Sequence, residues 1–391
     1  MRIDTRLSER LKKVNPSSTL AITAKTKKLK AEGKDIVNFS AGEPDFDTPD
    51  FAKNAAVSAI NQGFTKYTPA SGTPELKKKV AEKFQKENSL NYPPEQIIVS
   101  CGAKHSLFNA LFILINPGDE ILIPSPYWVS YPEMVNLCGG KTQFIKTLAE
   151  NKFKIKPKDL KSYITNKTKA LIINSPSNPS GCVYTRKELE EIADICLEKK
   201  IFVISDEIYE KLIYDNLEHI SIGSLKKELA NLVITVNGVS KSFSMTGWRI
   251  GYLAGPIDVV EAIAKFQSHS TSNPTSISQK AALAALDAPE DFYKQINKTF
   301  HERRDFALER LTDIPKINFV KPQGAFYIFC DISATGMNSL NFSQRLLDEA
   351  LVSVIPGEGF GANDYIRLSF ATSMEQLQKG LERIENWIKQ V

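Results

Sequence analysis

The chain has 391 residues, 42% of them hydrophobic and 24% charged, which predicts a soluble globular protein with mass for two or three domains. The net charge of +5 is spread along the chain, and the lysine-rich stretches at 25–30 and 77–83 carry apolar partners at helical spacing, so they read as solvated helix faces and argue against a nucleic-acid partner. Five scattered cysteines without a CxxC pair (Cys101, Cys138, Cys182, Cys196, Cys330), with no signal-peptide core and no run of 18 apolar residues, point to a reduced, cytoplasmic protein that does not enter a membrane.

A helical pattern over residues 19–32 comes first, followed by the loop Ser40-Ala41-Gly42-Glu43-Pro44-Asp45-Phe46. From about 95 to 255, short apolar runs alternate with helical patterns, as βαβ units do. The candidate strands are 97–99, 120–123, 142–145, 170–173, 201–205, 232–236 and 250–254. Several are almost uniformly apolar, which suits a sheet covered on both faces. Helical spacing marks 104–115 and 186–198, the latter opened by Thr185 with Glu188 three residues later in the form of a capping box. These elements predict an α/β fold with a large domain over 46–285 built on a mostly parallel seven-stranded sheet. Past 285 a long helical pattern (291–311), strands at 317–320, 325–330, 352–355 and 365–370, and a last helix over 374–388 predict a smaller α+β domain formed by 286–391 with 1–45.

Chemistry gathers at the strand ends. Lys241 lies just past an apolar strand, between Ser240 and Ser242, with Arg249 eight positions on. A desolvated lysine loses its proton readily and can form a Schiff base with an aldehyde cofactor; the alternative is a solvated lysine after a strand. Ser100-Cys101-Gly102-Ala103-Lys104 joins a strand to a helix N-terminus, whose free amides and dipole suit a phosphate. Asn178 follows the strand 170–173 in a proline-rich loop, and loops beyond strand carboxyl ends are where α/β sheets bind ligands. Asp206 ends a buried strand and Tyr209 follows three residues later; the carboxylate either caps the next helix or pairs with a protonated ring nitrogen. Trp128 suits stacking on a planar group or core packing. Arg367, a charge inside an apolar strand, needs a carboxylate, from the protein or from a substrate. Gly357-Glu358-Gly359-Phe360-Gly361 lacks the βαβ context of a dinucleotide site, and His105, His219, His269 and His301 lack metal-ligand spacing, so no metal is expected and the histidines read as surface or packing residues.

In order and spacing, Asn178-Pro179, Ser205-Asp206-Glu207-Ile208-Tyr209, Ser240-Lys241 and Gly247-Trp248-Arg249-Ile250-Gly251 resemble the class I pyridoxal-phosphate aminotransferases of fold type I, in particular the bacterial aspartate aminotransferase subgroup. The resemblance spans essentially the whole chain, from Ser40 to Ser369. It implies pyridoxal 5′-phosphate as cofactor, Lys241 as Schiff-base and proton-transfer residue, and Arg249 with the backbone of Ala103 and Lys104 on the phosphate. It further implies Asp206 on the pyridine nitrogen, Asn178 and Tyr209 on the phenolic oxygen and Trp128 on the ring. Arg367, with Asn178, Trp128 and the Gly42 backbone, would hold the substrate's α-carboxylate. Tyr67 would reach the phosphate of a neighbouring subunit, making the active unit a homodimer. One position departs from many relatives: Gly238 stands where they carry a serine three residues before the lysine, which removes a hydroxyl from the phosphate site.

The activity so implied is a ping-pong transfer of an amino group from an L-amino acid to a 2-oxo acid, with aspartate and 2-oxoglutarate expected. The distal carboxylate would rest on Lys104, with hydroxyls near Ser18 and Thr19; between Arg249 and Arg303 there is no arginine to do so. Aromatic amino acids or prephenate are alternative substrates within the subgroup. A pyridoxal-phosphate β-lyase would use the same lysine and aspartate, and a cofactor-sensing regulator of this fold would need a DNA-binding domain ahead of Gly42.

Overall fold

The computed structural model describes residues 8–15 and 18–391, with residues 18–21 described as backbone. All seven expected strands of the large sheet form: β1 (Ile97–Ser100), β2 (Glu120–Ser125), β3 (Lys141–Lys146), β4 (Thr168–Asn174), β5 (Phe202–Asp206), β6 (Val233–Gly238) and β7 (Gly251–Ala254). Their spatial order is β1-β7-β6-β5-β4-β2-β3, and every pair is parallel except the two made by β7. Apolar residues alternate between two covered faces. Ile172, Ile204, Ile234 and Leu253 meet Leu107 and Leu111 of the helix Ala103–Leu114. Leu171, Val203 and Val233 face the other way, onto Leu189, Ile192 and Cys196 of the helix Arg186–Lys199. Each such side chain, fully buried, contributes roughly 1.5–3 kcal/mol. The capping box at Thr185 and Glu188 is present.

A four-stranded antiparallel sheet holds Ile355–Pro356, Tyr365–Ser369, Tyr327–Asp331 and Asn318–Phe319, in that order. It packs with the long helix Glu290–Thr312 and the last helix Met374–Ile388 around a separate core that includes Phe300, Phe326, Leu368 and Trp387. The strand expected over 352–355 divides instead. Val352–Ser353 pairs in parallel with Val37–Asn38, while Ile355–Pro356 joins the four-stranded sheet, so buried Val354 is where the chain passes from one sheet to the other. The run Val352-Ser353-Val354-Ile355 hides that change, because all four residues are buried on either side of it. The strand at 317–320 shrinks to Asn318–Phe319.

Lys83 departs from the solvated-face reading of its stretch. It is 6% exposed, on the inward side of the helix Pro74–Asn88, and forms an ion pair with Glu210. Its neighbours Lys77 to Lys79 stay on the outward sides of the same helix, because 3.6-residue periodicity divides a lysine run between faces. Among the described residues, no helix is long and apolar enough to cross a membrane.

Candidate active site

Parallel register brings the strand-end residues together. Asn174, Asp206 and Val236 are consecutive partners across β4, β5 and β6. The loops that leave these three ends carry Asn178, Tyr209 and Lys241 to one side of the sheet, the position where α/β folds bind ligands. They surround a cavity of about 300 Å³ also lined by Gly42, Ala103, Lys104, Trp128, Arg249 and Arg367. Two residues singled out in the sequence do not line this cavity: Tyr67, which is 91% exposed, and Gly238. The side chains of Ser18 and Thr19 lie outside the described residues.

Lys241 is half-buried, and its Nζ donates to the Gly42 carbonyl. Burial is the main force lowering its pKa to about 8; Arg367 and Arg249 add to the effect, while Glu43 and Asp206 oppose it. The amine is therefore a usable nucleophile and base near neutral pH. Asp206, 4% exposed, has the opposite perturbation: burial pushes it up to about 6, against hydrogen bonds from Tyr131 and the Ile208 amide. Its Oδ2 accepts from the Tyr131 hydroxyl at 2.6 Å. A buried carboxylate poised this way gains from a cation placed in the cavity beside it.

The opposite end of the cavity is built for an anion. Gly102 (φ 92°) caps the helix Ala103–Leu114 with no side-chain partner, so the first-turn amides of Ala103 and Lys104 have no intrahelical acceptor. Arg249 lies against Gly102, where an added Cβ would sit 2.9 Å from the guanidinium carbon. A Cβ on Gly251 would overlap the Ala103 amide nitrogen itself, so both glycines keep this cradle open. Arg249 adopts a left-handed backbone (φ 56°), costly for a non-glycine residue, and its guanidinium donates to the carbonyls of Thr246 and Cys101. Gly238 faces Gly251 across β6 and β7, and a Cβ there would approach Gly251 Cα and the Ile250 carbonyl at 3.0 Å. Close strand packing accounts for a glycine at this position.

Arg367 is 3% exposed, yet no protein carboxylate pairs with it among the described residues. Its Nη1 donates to Asn178 Oδ1 and its Nη2 to the Ser40 carbonyl, both at 3.1 Å, and its Nε is buried without a partner. The guanidinium lies over the Tyr327 ring at 4.2 Å, and the Tyr327 hydroxyl meets that of Tyr209 at 2.9 Å. A buried guanidinium held flat and left without an anion points to a carboxylate ligand. Lys104 Nζ stands 4.9 Å from the Trp128 ring, so Trp128 lines the cavity with a cation on one side; burial, then Arg249, lowers the Lys104 pKa. Two lining residues, Tyr131 and Tyr327, escaped the sequence reading. The spacing from Trp128 to Tyr131, one helical turn, was the available signal for the first; Tyr327 reads simply as part of an apolar strand.

Fold and site together define a transferase of the fold type I pyridoxal-phosphate class. The family described as aminotransferase class I and II matches residues 34–384. The chain is 51% identical to an aspartate aminotransferase of Bacillus sp. (strain YM-2), over 98% of this chain and 99% of that one. It is 46% identical to a probable aspartate/prephenate aminotransferase of Aquifex aeolicus, over 98% and 99%. A solved structure of the Thermus thermophilus aspartate aminotransferase with maleate superposes with a TM-score of 0.94 at 45% identity, covering 99% of this chain and 100% of that one. The chain belongs to the class I and II aminotransferase family.

Proposed function

We propose that this aminotransferase moves the amino group of aspartate to 2-oxoglutarate, with pyridoxal 5′-phosphate bound in the cavity described above. The observation that carries the reading is Arg367: a buried guanidinium with an unpartnered Nε, braced by Asn178 and Tyr327, facing the same cavity as Lys241. The residues present fit the cofactor. The open cradle at Gly102, Ala103 and Arg249 suits its phosphate, Asp206 suits its ring nitrogen, Tyr209 and Asn178 suit its phenolic oxygen, and Trp128 suits its face. When bound, pyridoxal phosphate supplies an aldehyde for Lys241 and a ring that takes up the charge left by the substrate's α-proton.

With the cofactor bound, Lys241 would be its covalent anchor, and its freed Nζ would take the proton from the substrate's α-carbon and deliver it to the cofactor's aldehyde carbon rather than back to the substrate, so one amine would serve as anchor, base and acid. Arg367 holds the α-carboxylate and aligns the α-proton with Lys241. Asp206 would hold a proton on the ring nitrogen. Lys104 holds the distal carboxylate, which favours aspartate and glutamate. Tyr67, fully outward on its own protomer, reaches the phosphate site of a second copy, so the working unit is a homodimer. The division into 46–285 and 1–45 with 286–391 places Arg367 and Gly42 on the smaller part and Lys241 on the larger, and both parts contribute to the site. A second reading, aromatic or prephenate substrates, is supported by the relative named for both aspartate and prephenate.

The test is to mix purified, cofactor-loaded protein with single amino acids and follow the cofactor spectrum. Conversion by aspartate and glutamate with weak response to alanine supports the dicarboxylate reading. An unchanged spectrum with every amino acid would refute the transfer.

A further inference from the structure

A buried polar cluster lies on the reverse face of the sheet, directly behind Asp206. Side chains alternate along an extended chain, so Asp206 faces the cavity and the next residue, Glu207, faces away. Glu207 is 1% exposed. Its Oε1 accepts from the Ser205 hydroxyl at 2.8 Å. Its Oε2 accepts from the Ser221 hydroxyl at 2.6 Å, from His219 Nε2 at 2.8 Å and from Asn88 Nδ2 at 3.2 Å. These donors come from three parts of the chain: β5 itself, the end of the helix Pro74–Asn88, and the loop that follows Tyr214.

Glu207, Glu210 and His219 have ligand atoms within 4.8 Å of one another, the arrangement of a cation site. Protein groups already fill it. The Lys83 ammonium pairs with Glu210 and donates to Asn88 Oδ1 at 2.6 Å, and Asn88 Nδ2 donates to Glu210 Oε2 at 2.7 Å. Burial opposes ionisation of Glu210, but Lys83, His219 and Lys211 together hold its pKa down to about 2. Lys211 in turn pairs with Glu87 at 2.9 Å. The buried Tyr92 hydroxyl, without a hydrogen-bond partner, completes the groups around Glu207.

A cluster like this is an expensive way to fill space, since well-packed apolar side chains are often as stabilising as a buried ion pair. Its location suggests a purpose. The cavity wall holds four cationic side chains (Lys104, Lys241, Arg249, Arg367) and one carboxylate, Asp206. A positive ligand group beside Asp206 must be held against that field. The backbone around Asp206 is also tied on both sides: its carbonyl accepts from Asn174 Nδ2 at 2.9 Å, and the Glu207 amide donates to the Val236 carbonyl at 2.9 Å. Glu207 therefore has little freedom, and any force on its carboxylate acts on the position of Asp206.

We propose that Glu207 is a positioning residue for Asp206: a carboxylate clamped by Ser205, Ser221, Asn88 and His219 on the reverse face of the same strand end, which fixes the Asp206 carboxylate toward the cavity and strengthens its hold on a cationic ligand group there. The inference rests on pyridoxal phosphate binding as read above, with its ring nitrogen at Asp206. Tyr131 and Tyr209 are the titratable groups that meet Asp206 from the cavity side together with Lys241; Glu207 acts from the opposite side.

The experiment compares cofactor-loaded wild type with Glu207→Gln, which removes the charge and keeps the shape, and Ser221→Ala, which removes one donor and keeps the charge. The absorbance of the Lys241-linked cofactor is titrated against pH without substrate. Removing a negative charge disfavours the protonated form, so in Glu207→Gln the midpoint moves down by roughly half to one pH unit. Ser221→Ala moves it in the same direction by less. The single-turnover rate with aspartate falls about three- to tenfold in Glu207→Gln while the apparent aspartate affinity stays within about twofold, because Arg367 is untouched. Purely structural cement would lower the unfolding temperature of the cofactor-free protein and leave the midpoint in place; that result overturns the proposal. Should Glu207→Gln fail to fold, a Ser221→Ala titration superimposable on wild type overturns it equally. Absence of any Lys241-dependent absorbance in wild type would instead overturn the cofactor reading on which the proposal stands.

Discussion

The Tyr131 hydroxyl donates to Asp206 Oδ2 at 2.6 Å, joining the helix Ser130–Leu137 to the end of β5 inside the cavity wall. Both groups are buried, at 2% and 4% exposure. A hydrogen bond to a charged acceptor contributes about 1.5–3 kcal/mol. The bond favours ionised Asp206 and offsets part of the desolvation that pushes its pKa up to about 6. In Tyr131→Phe the Asp206 carboxyl of cofactor-free protein is expected to titrate about one pH unit higher, read by carbon-13 resonance of labelled aspartate. An unchanged titration would mean that burial alone sets this group.

Asp206 carries a cost in stability with a definite pH signature. Its folded pKa, about 6, exceeds the ordinary 3.8, so between those values the folded protein binds the extra proton. Stability therefore falls as pH rises through that window, and the full cost, about 3 kcal/mol, is present above pH 6. Cofactor-free Asp206→Asn should be the more stable protein above pH 6, and its advantage should vanish below about pH 4. Denaturant melts at both pH values check this; equal stability throughout would contradict it.

Lys241 reacts as the neutral amine. With its pKa lowered to about 8, the rate at which cofactor-free protein captures pyridoxal phosphate should rise about tenfold per pH unit below that value and level off above it. A stopped-flow absorbance series from pH 6 to 9 measures the curve. Lys241→Ala should lose the covalent signal entirely, with turnover reduced on the order of 10⁵-fold.

Lys104 is the cation best placed for a second substrate carboxylate. Replacing it with alanine removes one charge-assisted hydrogen bond, so KM for aspartate and glutamate should rise about ten- to hundredfold while that for alanine stays within about twofold. Steady-state kinetics with the three amino acids decide it. Equal losses for all three would place Lys104 on the cofactor instead.

Asp206, Asn178 and Lys241 were legible because each follows an apolar run closely, and a polar group at the end of a buried strand stands out against its neighbours. Arg367 was legible for a related reason: a charge inside the strand Tyr365–Ser369 is costly without an anion. Tyr131 and Tyr327 were not, since tyrosine is at home in a helix face or a strand and its hydroxyl partner lies far along the chain. Lys83 differs from the solvated-face expectation for the run at 77–83 for the same cause. Glu210, which pairs with its ammonium, lies more than a hundred residues along the chain and meets it only once the helix Pro74–Asn88 packs its apolar face on β1 and β7.

By itself the sequence determined the alternation of strands and helices, the residues at the strand ends and the family they resemble, because apolar periodicity and loop chemistry act over a few neighbouring positions. Only the tertiary structure decided which carboxylate faces the cavity and which faces the buried cluster, that Arg367 meets no protein carboxylate among the described residues, and that Gly251 leaves room for the Ala103 amide. Those outcomes depend on strand register and on contacts between segments tens to hundreds of residues apart, and a one-residue change of register would exchange the faces of Asp206 and Glu207.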